Sequence, residues 1–137
     1  SWSCPDCCGF FAAPFEYPDY AADYGFPDYL RYYCEIGAGI ASMIEPILCV
    51  TSRKTIGNLL DVGCGVPFTV DFARNWLGLT ASGVDPSTYA RKGSEMLGVP
   101  LDFGLLGQGS DSDGKRFDLV FSSEVIEHVS DPIGFAR

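Results

Sequence analysis

Residues 58–65 read Asn-Leu-Leu-Asp-Val-Gly-Cys-Gly, and the fold follows from how this stretch ends. Asn58–Val62 is a short, largely apolar run that stops in Gly63-Cys64-Gly65. A run halted by a glycine pair reads as a buried strand entering a sharp turn. Pro67 suits the first position of a helix. Val66, Val70, Ala73 and Leu77 follow at helical spacing, and Gly78 is the stop. Ala81–Val84 is a second strand, closed by Asp85-Pro86-Ser87, and a helix over Ser87–Leu97 ends at Gly98. Val99–Phe103 is a third strand and Gly104–Arg116 a loop. Phe117–Phe121 is a fourth strand, followed by a short helical or turn segment. Strands alternating with helices in this order demand parallel pairing and right-handed crossovers, hence an α/β architecture.

Upstream the texture is different. Residues 1–56 are rich in aromatics and cysteine, and Pro5, Pro14, Pro18 and Pro27 break every candidate helix before residue 35. Residues 28–50 are helical from Asp28 as N-cap, against the pull of Gly37, Gly39 and Pro46. The chain thus divides into an N-terminal segment, 1–56, and a domain portion, 57–137. No internal repeat is present.

Composition narrows the partners. The chain has 137 residues, 47% hydrophobic, with 16 Gly and 9 Pro, which is a globular composition. Its net charge of −9 repels both nucleic-acid backbones and anionic membranes, so neither is an expected partner. No apolar run approaches the roughly 20 residues a bilayer helix needs, and no signal peptide is visible. Six cysteines at irregular spacing do not form a disulfide framework. Free thiols in a reducing, cytoplasmic compartment are expected.

The chemistry concentrates at the strand ends. Gly63 and Gly65 let the backbone turn and let a ligand approach the main chain. The following helix N-terminus offers unpaired N–H groups to a carboxylate or phosphate. Asp85 stands at the tip of the next strand, where adjacent tips share a ligand crevice, and its carboxylate can accept from both ribose hydroxyls. Dinucleotide folds want a third small residue in the glycine pattern, but Phe68 stands there. Asp61 before the glycines would repel a diphosphate and suits an ammonium instead. A ligand carrying ammonium, carboxylate and ribose together is S-adenosylmethionine.

These stretches, LLDVGCG, GVDPS and FDLVFSSEVIEHVSDP, resemble the class I S-adenosylmethionine-dependent methyltransferases, nearest in flavour to the ubiquinone-biosynthesis O-methyltransferases. The resemblance covers residues 58–137 and implies a Rossmann-like parallel sheet, truncated after its fourth strand, so that 57–137 would be the N-terminal half of a methyltransferase domain. It implies that Asp61, Gly63, Cys64 and Gly65 border the methionine end of the cofactor. Asp85 and Pro86 would take the ribose, Leu105 the adenine edge, and Ser122 the methionine portion. Pro67 stands where that family usually has a third glycine, and Gly104-Leu105-Leu106 replaces an acid near the adenine.

The implied reaction is methyl transfer to a small molecule, at oxygen, with His128, the only histidine, as base. Glu124, Glu127 and His128 also resemble an Mg²⁺-binding stretch of related enzymes, but a further ligand is lacking, and no metal is assigned. Cys4 and Cys7 resemble one knuckle of a zinc ribbon whose second knuckle is absent. Tyr20, Tyr24, Tyr29 and Tyr33 are candidates for a lid over the cofactor or for ordinary packing. The alternatives are a cofactor-binding module without turnover and, less well matched, an NAD-dependent oxidoreductase.

Overall fold

The computed structural model describes residues 2–3, 5, 10–11, 19, 21–22, 25–36, 39–109, 112 and 114–137. Strands β1 (Trp2–Ser3) and β2 (Phe10–Phe11) pair antiparallel, Trp2 opposite Phe11 and Ser3 opposite Phe10. Cys4, Cys7, Tyr20 and Tyr24 lie outside the described residues, and with them the zinc-knuckle reading and half of the aromatic set. Next come α1 (Phe26–Arg31), a π-helical turn over Tyr32–Ile36 and α2 (Gly39–Thr51). The helical stretch therefore begins two residues before Asp28, with Pro27 inside it. A proline in the first helical turn costs nothing, because the N–H it removes would be unpaired there. Pro46 lies inside α2, is exposed, and removes the N–H that would otherwise bond to the Ser42 carbonyl. Met43 and Ile47, one turn apart, are the buried residues of this helix.

The domain portion is a parallel sheet with β3 (Asn58–Val62) at its centre, β4 (Thr80–Val84) on one side and β5 (Leu119–Phe121) on the other. Val62 stands level with Val84, and Asp61 with Phe121. Chain order therefore reverses at β3, which opens a crevice at the carboxyl ends of the strands. Helices α3 (Phe68–Asn75) and α4 (Thr88–Leu97) follow β3 and β4. One face buries Ile47, Leu59, Val70, Ala73, Ala81 and Val99. The other buries Leu60, Val62 and Val84 beneath Phe117 and Phe135. Burying each such aliphatic side chain is worth about 1.5–3 kcal/mol.

Three local expectations need correction. Val99–Phe103 is not a strand: its only rung is a parallel bridge between Asp102 and Val84. Asp102 N donates to Gly83 O at 2.9 Å, and Asp85 N donates to Asp102 O at 3.0 Å. The next rung would need the N–H that Pro100 lacks, and Ala81 O accepts from Arg74 Nη1 instead at 3.0 Å. The strand expected from Phe117 begins only at Leu119. There Asp118 Oδ2 accepts from Gly57 N (2.8 Å) and Asn58 N (3.1 Å), while Asn58 Oδ1 accepts from Asp118 N (2.6 Å), so side chains replace the first ladder bonds. Pro67 is the N-cap of α3 rather than its first residue. Its φ of −79° and ψ of 52°, with Phe68 N donating to Val66 O at 2.7 Å, form an inverse γ-turn.

Among the described residues no single helix is long and apolar enough to cross a membrane; Phe26–Glu35 and Gly39–Thr51 pass that test only together, bent by 58°. Cys34, Cys49 and Cys64 are free thiols.

Candidate functional site

The turn after β3 is built by backbone sign. Gly63 has φ +72° and Gly65 φ +50°, conformations that L side chains rarely adopt. A side chain at Gly63 would collide with Val125 Cγ2, which lies against the Gly63 backbone. Among the described residues a Cβ at Gly65 would meet only the Tyr29 hydroxyl, 3.3 Å away. Behind the turn, Gly93 of α4 lets that helix close on Val66 and Pro67, whose atoms would stand 2.8–3.0 Å from a Cβ there.

The expected pairing of the two strand tips is present as a direct hydrogen bond. Gly65 N donates to Asp85 Oδ2 at 2.9 Å, and Ser87 N donates to Asp85 Oδ1 at 2.7 Å. Each carboxylate oxygen keeps a second lone pair for another donor. Ser87 is the N-cap of α4, and its hydroxyl accepts from Ala90 N at 3.1 Å. Pro86 is half-buried between them.

Asp61 is different in kind. It is 2% exposed at the end of β3. Burial pushes its pKa from 3.8 up to about 7; the neighbouring Thr69 hydroxyl pulls it down, and the Asp85 charge pushes it further up. Thr69 Oγ1, in the first turn of α3, is buried beside Asp61, close enough to favour the carboxylate but, among the described residues, outside full hydrogen-bond geometry with it or any other group. Cys64 is buried too: desolvation, then the charges of Asp61 and Asp85, push its thiol up, which makes it an inert filler. Its sulfur would stand 2.8 Å from a Cβ at Gly83.

A cavity of about 230 Å³ opens beside Asp61. Tyr33, Ser42, Met43, Phe121, Ser123 and Glu124 complete its wall with Gly39, Gly63 and Cys64. Sequence reasoning had no signal for Ser42, Met43 or Phe121, which come to the wall through packing of α2 and β5. Among the described residues Glu124 alone of the non-glycines has a left-handed φ, +58°. Such strain persists only where its surroundings enforce it, and here it sets Glu124 in the cavity wall and its successor, Val125, against Gly63.

The other predicted residues stand further out. The Ser122 hydroxyl donates to Val62 O at 3.1 Å, tying β5 to β3, and it is Ser123 and Glu124 that line the cavity. Leu105 is 40% exposed, beside similarly exposed Phe103 and Leu106, and the Arg91 guanidinium lies 4.3 Å from the Phe103 ring centre. His128 is exposed on the 3-10 turn Ile126–His128 and does not line the cavity. Among the described residues no three His, Cys, Asp or Glu side chains converge on a metal position.

A glycine turn on the central parallel strand, with an acid at the next strand's tip, places the chain among α/β ligand-binding domains. More narrowly, the profile of the methyltransferase domain family matches residues 29–137, and the chain belongs to that family. The ubiquinone biosynthesis O-methyltransferase of Methylobacterium nodulans is 37% identical over 86 residues, which is 58% of this chain and 34% of that protein. The protein of the same name from Ruegeria pomeroyi is 34% identical over 94 residues, 64% of this chain and 37% of its own. The chain therefore spans about a third of the length of these relatives. Among solved structures, the plantazolicin methyltransferase BpumL, in complex with a pentazolic analogue and SAH, superposes with a TM-score of 0.60 at 19% identity, over 80% of this chain and 44% of that one. Streptomyces venezuelae DesVI gives 0.53 at 22% identity, over 78% and 49%. Both share the fold.

Proposed function

We propose that the protein is an S-adenosylmethionine-dependent methyltransferase that methylates a hydroxyl oxygen of a small molecule in the cytoplasm. The single observation that carries this reading is the Asp85–Gly65 hydrogen bond, which closes the two strand tips into one nucleoside cradle. The names of the curated relatives support transfer to oxygen.

The residues fit such a cofactor. Among the described residues the face of Gly65 is covered by the tip of one movable side chain, Asp85 retains acceptor capacity, and burial disfavours the Asp61 carboxylate in a way a cationic partner would relieve. When bound, S-adenosylmethionine supplies a methyl carbon activated by a sulfonium sulfur. The chain's own task is positioning, because the departing sulfur needs no proton. Asp85 and Pro86 hold the ribose. Asp61, Gly63 and Cys64 border the methionine end, and an ammonium there would favour the charged form of Asp61. Leu105 lies at the adenine edge. Ser122 supports the methionine side by fixing the end of β5 to β3. His128 takes the acceptor's proton, which is the remaining chemical demand.

Two measurements test this. Thermal-shift titration should show stabilisation by S-adenosylhomocysteine and none by NAD; stabilisation by NAD alone contradicts the reading. Incubation of S-adenosylmethionine with a panel of phenolic and alcoholic acceptors should yield S-adenosylhomocysteine. His128→Ala should cut that turnover at least tenfold, with the loss shrinking at high pH where hydroxyls ionise unaided. Undiminished turnover removes His128 from the mechanism.

A further inference from the structure

The segment ahead of the sheet is fastened around the Asp85 turn at three points. Thr88 Oγ1 donates to Ala22 O at 3.1 Å. The Phe26 ring stacks on Tyr89 at 6.5 Å and 21°. The Tyr29 ring lies on Tyr89 at 4.0 Å and 11°, nearly parallel in contact. Tyr89 follows the Asp85-Pro86-Ser87 turn directly into α4, so this stack sets the Tyr29 hydroxyl beside Asp85 and over Gly65. Among the described residues only that hydroxyl stands within 4 Å of where a Gly65 side chain would begin.

A glycine with positive φ at a ligand-facing turn leaves room for a close approach to the main chain. Here the room is taken by a phenol from another element. We infer that Tyr29 is a cofactor-gating residue: its hydroxyl occupies the Gly65–Asp85 cradle, so the ribose of an adenosyl ligand must displace it to bind. This inference rests on the cofactor reading above.

The displacement has a second consequence. Tyr29 Oη donates to Tyr33 Oη at 3.3 Å, with the rings 5.0 Å apart, and Tyr33 lines the cavity beside Asp61 and Glu124. Moving Tyr29 off Gly65 breaks that bond and releases one wall of the cavity. Occupation of the ribose side is thereby coupled to the shape of the side where methyl transfer would occur. Burial and its tyrosine neighbours push the Tyr29 phenol well above its ordinary pKa, so it stays a neutral donor across the physiological range.

A closed fraction lowers apparent affinity by the fraction of molecules that are open, and removing the plug restores it. Calorimetric titration of the full chain with S-adenosylhomocysteine is therefore expected to give about tenfold tighter binding for Tyr29→Ala than for the unmodified protein. Tyr29→Phe, which keeps the stack and loses the bond to Tyr33, is expected to fall between them. Hydrogen exchange of the unmodified protein needs no variant: the amides of 26–36 are expected to exchange faster with ligand bound. Equal or weaker binding by Tyr29→Ala, or slower exchange across 26–36, overturns the gate while leaving the cofactor reading intact, since Tyr29 would then be part of the pocket wall. If Tyr29→Ala does not fold, Tyr89→Ala takes its place with the same expectation. No binding by either the unmodified protein or the variant overturns the cofactor reading and the gate with it.

Discussion

Two carboxylates stand at neighbouring strand tips and differ in almost everything but type. Asp85, at the tip of β4, accepts from two backbone amides, Gly65 and Ser87. Asp61, at the end of β3, lies deeper, with the buried Thr69 hydroxyl beside it, and desolvation pushes its pKa up to about 7. The contrast teaches that position within a strand tip, not residue type, sets the role. The residue on the loop side organises the turn, whereas the residue two register positions inward holds a carboxyl whose charged form is disfavoured until a cationic group relieves it.

The largest effect should come from the Asp61 carboxyl. The native state keeps the Asp61 proton to about pH 7, while the unfolded chain releases it near 3.8. Between those values the unfolded state holds fewer protons, so stability falls as pH rises and levels off above pH 7. A shift of this size corresponds to a loss on the order of 4 kcal/mol. Urea unfolding from pH 4 to 8 should show this decline, and Asp61→Asn should flatten it while weakening S-adenosylhomocysteine binding.

Asp85→Ala attacks the other carboxylate. It leaves the Gly65 and Ser87 amides without their acceptor, at a cost of about 2–3 kcal/mol. It should also weaken S-adenosylhomocysteine binding by roughly a hundredfold, about 2.7 kcal/mol. Retained affinity would break the comparison, because Asp85 would then be a turn-former only.

The turn itself offers a finer test. Gly63→Ala meets both a φ of +72° and Val125, and should cost about 2–3 kcal/mol. Gly78→Ala has a similar φ, +68°, but open space around it, and should cost about 1 kcal/mol. Equal losses would mean that the contact with Val125 contributes nothing. The smallest stability effect belongs to exposed His128, whose replacement by Ala should stay within about 0.5 kcal/mol while turnover drops.

What was legible in the sequence is what local chemistry encodes. The run Asn58–Val62 and the left-handed Gly98 after α4, φ +67°, each announce themselves within a few residues, whereas Ser87, expected inside that helix, is its N-cap. The Asp85–Gly65 contact was legible because two strand tips had to meet. The third strand was misread because Pro100 removes a rung and Arg74 takes the carbonyl left over, and only the second is a tertiary event. Helix α2 runs through Pro46 because Met43 and Ile47 bury enough surface to offset it, which proline statistics do not see. Tyr29 was named among four aromatics, yet no spacing tells that it, rather than its neighbours, rests on Gly65; the stack on Tyr89 decides that.

Calorimetry of S-adenosylhomocysteine binding to the unmodified protein and to Asp85→Ala tests the central claim most directly. Binding that is measurable in the first and at least a hundredfold weaker in the second is the predicted result. No heat at millimolar ligand in the unmodified protein, or equal affinity in both, contradicts the assignment of the β3 and β4 tips as a nucleoside cradle.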